Sequence, residues 1–131
     1  VEVGVLELPN GELVASPPAK LNGTADSEEG FYGFETKYLD NVVTATIPAG
    51  YDDVLNEQLA ELAIRTFKAL DCRGLARVDF FVTEDGPMLN EVNTMPGFTS
   101  ISMFPQVFQA AGMSYSELLT TLITSALERA K

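Results

Sequence analysis

Apolar residues alternate with others along VEVGVLEL, stop at Pro9-Asn10-Gly11, and resume over ELVAS, residues 12–16. Period-two alternation on either side of a Pro/Asn/Gly turn predicts an opening β-hairpin. Residues 16–40 hold two prolines, three glycines and the acids Asp26, Glu28 and Glu29 without sustained periodicity, which predicts a long loop. Loops longer than about 12 to 15 residues in compact domains are usually functional or disordered. VVTATIPA, residues 42–49, predicts a strand. From Asp52 the apolar residues Leu55, Leu59, Leu62, Ala63, Phe67 and Leu70 recur at helical spacing, so an amphipathic helix runs to about Leu70, with acids at the positive end of its dipole. A turn at Asp71 to Gly74 leads to two strands around TEDGP, a Pro/Gly loop from Thr94 to Gly97, and a short helix near Phe104 to Ala111 that is interrupted at Gly112. Ser114 and Glu117 form a capping box for a last helix, Tyr115 to about Arg129, with the apolar stripe Leu118, Leu119, Leu122, Ile123 and Ala126.

The paired strands carry polar groups where a buried hairpin should not. Glycine in TEDGP suits a three-residue loop, Glu84-Asp85-Gly86, with Thr83 opposite Pro87. Counting outward, Asp79 faces Glu91 and Arg77 faces Asn93, and the strand alternation puts all four on one face. Val78, Phe80, Val82, Met88 and Val92 fall on the other face, with only Asn90 polar among them. Facing carboxylates repel by about a few tenths of a kcal/mol, more as water is excluded. Two readings offset the repulsion: Arg77 neutralises the pair on a solvated face, or Asp79, Glu91 and the Asn93 amide hold a hard cation such as Mg2+ on oxygen donors.

Composition narrows the chemistry. The 131 residues fit one domain, and 46% hydrophobic with 21% charged residues reads as a globular chain. A net charge of −11, from 19 acids and 8 bases, argues against a nucleic-acid partner. The absence of histidine removes imidazole catalysis and the commonest zinc ligand, leaving carboxylates, amides and hydroxyls to hold a metal. No apolar run approaches the roughly 20 residues of a membrane span. The single Cys72 cannot form an internal disulfide, so it reads as a buried spare thiol and fits a cytoplasmic location.

The same residues carry a resemblance. ARVDFF followed by LNEVNTMPGFTSISMFP is similar to the C-terminal signature of D-alanine-D-alanine ligases, in the ATP-grasp superfamily. FYGFETKY resembles the loop that this family writes FYDYEAKY, and AAGMSYSELLTTLI resembles its closing helix, so the likeness runs essentially end to end. It implies an α+β fold, an antiparallel sheet with helices packed on one face, forming the C-terminal half of an ATP-grasp domain. Residues 1–131 are then a single catalytic domain, with the N-terminal and central domains of the family absent from this chain and the isolated chain inactive. The implied parent activity is ATP-dependent: a D-alanine carboxylate takes the γ-phosphate as an acyl phosphate, and the amine of a second D-alanine displaces phosphate, giving the dipeptide for peptidoglycan.

By resemblance, Asp79, Glu91 and Asn93 bind two Mg2+ ions, or Mn2+, that bridge the β and γ phosphates, and Arg77 with the backbone N–H of Gly97 stabilises the oxyanion. Ser102 and Met103 match the positions that hold the carboxylate of the second D-alanine, Lys37 matches a lysine that reaches the γ-phosphate, and Tyr38 a tyrosine associated with D-alanine as second substrate. Read without the resemblance, Gly97 belongs to a plain Pro-Gly turn, Ser102 is a helix cap, and Lys37 and Tyr38 are exposed loop side chains. Gly33, Phe34 and Thr36 depart from the commoner Asp, Tyr and Ala of the loop, and Ile101 stands where many members have histidine. The alternatives are a D-alanine-D-lactate ligase, another ATP-grasp carboxylate-amine ligase, or a noncatalytic interaction module. Apolar faces left bare here imply self-association, as in a homodimer.

Overall fold

A computed structural model describes residues 1–23 and 44–131. The opening hairpin forms as its alternation predicts, with β1 (Glu2–Glu7) antiparallel to β2 (Leu13–Ala15). The predicted loop after it contains a short strand, β3 (Lys20–Asn22), which pairs with β4 (Thr44–Thr46) in a separate two-stranded sheet. Helix α1 (Asp53–Ala69) follows, then β5 (Leu75–Thr83) and β6 (Gly86–Asn93), and finally α2 (Met103–Ala110) and α3 (Tyr115–Arg129). The main sheet has the order β2-β1-β5-β6, antiparallel throughout.

Local chemistry sets the helix ends. Asp52 caps α1, its Oδ1 accepting from the Leu55 N–H at 2.8 Å. The α3 capping box is complete, with Glu117 N–H donating to Ser114 Oγ and Ser114 N–H donating to Glu117 Oε2. Helix α1 buries Leu59, Ala63 and Phe67, a row at four-residue spacing, against Val3, Val5, Ala76, Val78 and Phe80. Each large side chain so buried contributes about 1.5 to 3 kcal/mol. Cys72 is a free, buried thiol in this cluster, and burial raises its pKa. Leu70, expected on the stripe, is 60% exposed at the end of the helix.

The α+β class and the antiparallel sheet match the expectation; the helices, expected on one face, divide between two. Val3 and Val5 point to α1, whereas Gly4 and Leu6 on the opposite face meet α2 and α3 through Phe104, Val107, Phe108 and Leu118. Gly4 is what lets α2 approach: a Cβ there would lie 2.7 Å from the Phe108 ring and 3.2 Å from Phe104 and Val107. In α3 the described packing buries Leu118 and Ser125, and leaves Leu119, Ile123 and Leu127 exposed. Among the described residues no helix is long and apolar enough to cross a membrane.

The hairpin β5–β6 reaches the expected alignment by a different route. Thr83 pairs with Gly86 and Val82 with Pro87, so only Glu84 and Asp85 lie between the strands, and Gly86 supplies the left-handed backbone at φ +111°. A bulge then shifts the register by one residue opposite Asp79/Phe80, absorbing Asn90. Below the bulge Asp79 pairs with Glu91 and Arg77 with Asn93, as the sequence predicts. Above it the expected facing fails: Met88 pairs with Phe81 instead of lying on the core face, and it is 58% exposed.

Candidate functional site

The site occupies the part of the sheet face that α2 leaves uncovered. Along β1 that face carries Glu2, Gly4 and Leu6, which pair with Asp79, Arg77 and Leu75 of β5. Helix α2 covers the Gly4 and Leu6 end. At the other end Glu2, Arg77, Asp79 and Glu91 sit together, and Phe81 continues their face two residues beyond Asp79.

Arg77 is at the centre. Its Nε and Nη2 donate to Asp79 Oδ1 and Oδ2, both at 2.9 Å, a bidentate charge-assisted pair. Glu2 Oε2 lies 3.6 Å from Arg77 Nε, an ion-pair distance longer than a hydrogen bond, and Glu91 Oε1 lies 4.0 Å from Nη2. The Arg77, Glu2 and Asp79 side chains are only 7%, 2% and 11% exposed, whereas that of Glu91 is 62% exposed. Three carboxylates therefore lie within 2.9 to 4.0 Å of one guanidinium, from the buried Glu2 to the exposed Glu91. Glu2, Asp79, Glu91, Phe81, Tyr51 and Lys20 line an open cleft of about 480 Å³ over this edge. Burial raises the pKa of the Tyr51 phenol on its wall.

The fit to a cation rests on the donor set. Asp79, Glu91 and Asn93 offer oxygen only, the chemistry a hard divalent ion accepts. Among the described residues no three Asp, Glu or Cys side chains converge as a ready metal cage, so an ion held here would need further ligands from outside the chain. Each Asp79 oxygen accepts from Arg77 and retains a second lone pair. Asn93 Oδ1 accepts from the Met95 N–H at 3.1 Å, shaping the turn that leaves β6.

That turn leads to a second group, Gly97, Ser102 and Met103. Ser102 is the N-cap of α2, yet its side chain makes no bond to that helix. Instead its Oγ accepts from the Thr99 N–H at 2.9 Å and shares a proton with Thr99 Oγ1 at 2.8 Å, closing the loop 97–102. A Cβ on Gly97 would lie 2.9 Å from Ser102 Oγ, so a side chain there would displace the hydroxyl from its bonds to Thr99. Met103 opens α2 and packs partly buried against its core. Tyr115 pins the loop by donating to the Phe98 carbonyl at 2.8 Å. Lys37 and Tyr38 lie outside the described residues.

Sequence reasoning missed Glu2. In VEVGVLEL it reads as a polar residue on an amphipathic strand, and its partner Asp79 is distant along the chain. Alternation does place Glu2 opposite Val1, Val3 and Val5, which is the one signal available.

Known proteins share this sequence and fold. Residues 1–124 match the family model described as D-ala D-ala ligase C-terminus. The chain is 63% identical over 129 residues to the D-alanine-D-alanine ligase of Corynebacterium efficiens, covering 98% of this chain and 36% of that protein. It is 56% identical to the Nocardia farcinica ligase with the same coverage of 98% and 36%. Among solved structures, the D-alanine-D-alanine ligase from Coxiella burnetii superposes with a TM-score of 0.74 at 32% identity, over 98% of this chain and 33% of that one. A D-Ala:D-Ser ligase from Enterococcus faecalis superposes with a TM-score of 0.71 at 36% identity, over 93% and 35%. The chain thus spans about a third of the length of the relatives it matches. With the antiparallel sheet and the Arg77–Asp79–Glu91 face in place over the matched residues, the chain belongs to the D-alanine-D-alanine ligase family, as its C-terminal domain.

Proposed function

We propose that the intact protein is a cytoplasmic, ATP- and Mg2+-dependent ligase that joins two D-alanines into D-alanyl-D-alanine for peptidoglycan, and that this chain carries its catalytic C-terminal face. The observation that carries the reading is the buried Arg77–Asp79 pair opening onto Glu91 and the cleft. Exposed Phe81, at 54%, and Tyr51 give that cleft an apolar wall suited to a purine base.

In this reading Asp79, Glu91 and Asn93 hold the Mg2+ ions, which neutralise charge on the β and γ phosphates. The carboxylate of the first D-alanine takes the γ-phosphoryl group, releasing ADP. The amine of the second then attacks the acyl carbon, and the tetrahedral intermediate expels inorganic phosphate as the peptide bond forms and the amine loses a proton. Arg77 supplies a fixed positive charge to the oxyanion, and the Gly97 N–H supplies a donor. Ser102 and the N-terminus of α2 at Met103 receive the carboxylate of the second substrate. The family resemblance gives Lys37 a role at the γ-phosphate and Tyr38 one toward the second substrate, both outside the described residues. Leu119, Ile123 and Leu127 on α3 form an apolar row that suits contact with a second subunit.

The test is product formation by the intact protein from ATP, Mg2+ and D-alanine, with D-lactate and D-serine in competition. The reading expects D-alanyl-D-alanine in excess, and no D-alanine-dependent phosphate release from residues 1–131 alone. A depsipeptide as main product selects the D-lactate alternative, and no ATP-dependent product sinks the ligase reading.

A further inference from the structure

Thr99 has no part in the ligase reading, yet among the described residues every hydrogen bond it makes goes to Ser102. Its N–H donates to Ser102 Oγ at 2.9 Å, its Oγ1 lies 2.8 Å from the same oxygen, and its carbonyl accepts from the Ser102 N–H at 3.0 Å. The Phe98–Thr99 peptide that carries the first of these donors is also held at its other end, where the Tyr115 hydroxyl donates to the Phe98 carbonyl at 2.8 Å. Tyr115 is itself fixed at the start of α3, next to the Ser114/Glu117 capping box, with its ring centroid 5.4 Å from that of Phe98.

A serine hydroxyl has one proton to give and two lone pairs with which to accept. The Thr99 N–H fills one lone pair of Ser102 Oγ. The two hydroxyls can share a proton in either direction; with Thr99 donating, the second lone pair is filled and the Ser102 proton is left over. The same contacts turn the oxygen away from α2, whose N–H groups an N-cap serine ordinarily accepts from. We propose that Thr99 is a positioning residue that commits the Ser102 hydroxyl to donating, so that the carboxylate of the second substrate meets a proton and not a lone pair. Thr99 acts through Ser102. The proposal rests on the ligase reading above, which gives Ser102 that carboxylate, and its test separates the two.

The experiment measures D-alanine-dependent phosphate release from ATP by the intact protein, fitted to separate KM values for the first and second D-alanine. The variants are Thr99→Val, Thr99→Ser, Ser102→Ala and the Thr99→Val, Ser102→Ala double substitution. Ser102→Ala is expected to raise the KM for the second D-alanine about 10-fold or more, as loss of a hydrogen bond to a charged group does. Thr99→Val keeps the backbone N–H and loses the hydroxyl. It should raise the same KM about fivefold or more, with kcat within about threefold and the KM values for ATP and the first D-alanine within about twofold. Thr99→Ser restores a hydroxyl and should stay within about twofold of wild type throughout. In the Ser102→Ala background Thr99→Val should change the second KM by less than about twofold, since its partner is gone.

An unchanged second KM in Thr99→Val overturns the proposal, as does an equal rise in both backgrounds or a Thr99→Ser variant as impaired as Thr99→Val. A parallel rise in all three KM values also overturns it, because that marks a loop loosened as a whole. If Ser102→Ala itself keeps the wild-type KM for the second D-alanine, the ligase reading of Ser102 fails first and the role of Thr99 falls with it. Should Thr99→Val not fold by circular dichroism, Thr99→Ala takes its place, with the same rise expected and the same results overturning the proposal.

Discussion

One face of the main sheet has two halves that differ in what covers them. At one end Gly4 and Leu6 accept Phe104 and Phe108 of α2, and the surface is closed. At the other end Glu2 pairs with Asp79, the Arg77 side chain reaches them from its position beside Gly4, and the surface opens on the cleft. The strands are the same; the side chains decide. Gly4 leaves room for the Phe108 ring, which would lie 2.7 Å from a Cβ placed there, whereas a guanidinium flanked by carboxylates presents a polar surface beside the cleft. The sheet is thus a rigid plate that serves as core at one end and as reactive surface at the other, with α1 sealing its reverse.

The strongest way to break the contrast is to damage the sealed reverse and the open end separately. Phe67→Ala, on α1, should cost about 3 to 5 kcal/mol in urea unfolding of the intact protein and leave kcat per folded molecule unchanged. Gly4→Val should cost about 1 to 3 kcal/mol by the same measurement, because α2 must retreat from the new side chain. Phe81→Ala, at the exposed end, should change stability by no more than about 1 kcal/mol yet raise the KM for ATP several-fold. The smallest effect belongs to α3. Hydrogen bonds from the Ser114 backbone, and with its side chain, lower the Glu117 pKa below its ordinary value of 4.5. That contribution is present above pH 4.5 and is lost as pH falls through the depressed folded value. Circular dichroism below pH 4.5 should therefore show α3 loosening, and Glu117→Gln should remove that part of the acid response.

Much of this was legible in the sequence where it depends on near neighbours. The ends of α1 and α3 follow from Asp52 and from the Ser114/Glu117 box, whose partners lie three residues away. The facing of Asp79 with Glu91 was also legible, though through two offsetting features: a loop shorter by one residue and a bulge that absorbs Asn90. A bulge leaves little trace in hydrophobic alternation, so Met88 was misplaced while Arg77 and Asn93 were not. The strand β3 was hidden because three residues are too few for a period to show, and its ladder partner is more than twenty residues on. Glu2 was hidden for the same physical reason at longer range, since the pairing of β1 with β5 is set by the whole sheet and not by either segment. The Ser102 hydroxyl was read as a cap or a substrate contact; its bonds to Thr99 show that it also folds its own loop.

The central claim is that the open half of the face is the catalytic surface, and Asp79 is where the cation and Arg77 meet. The direct test is D-alanine-dependent ATP turnover by the intact protein carrying Asp79→Asn, titrated with Mg2+. The account predicts a kcat at least about 100-fold below wild type at saturating Mg2+, with the folded state retained by circular dichroism. Wild-type kcat with an unchanged Mg2+ requirement would contradict it.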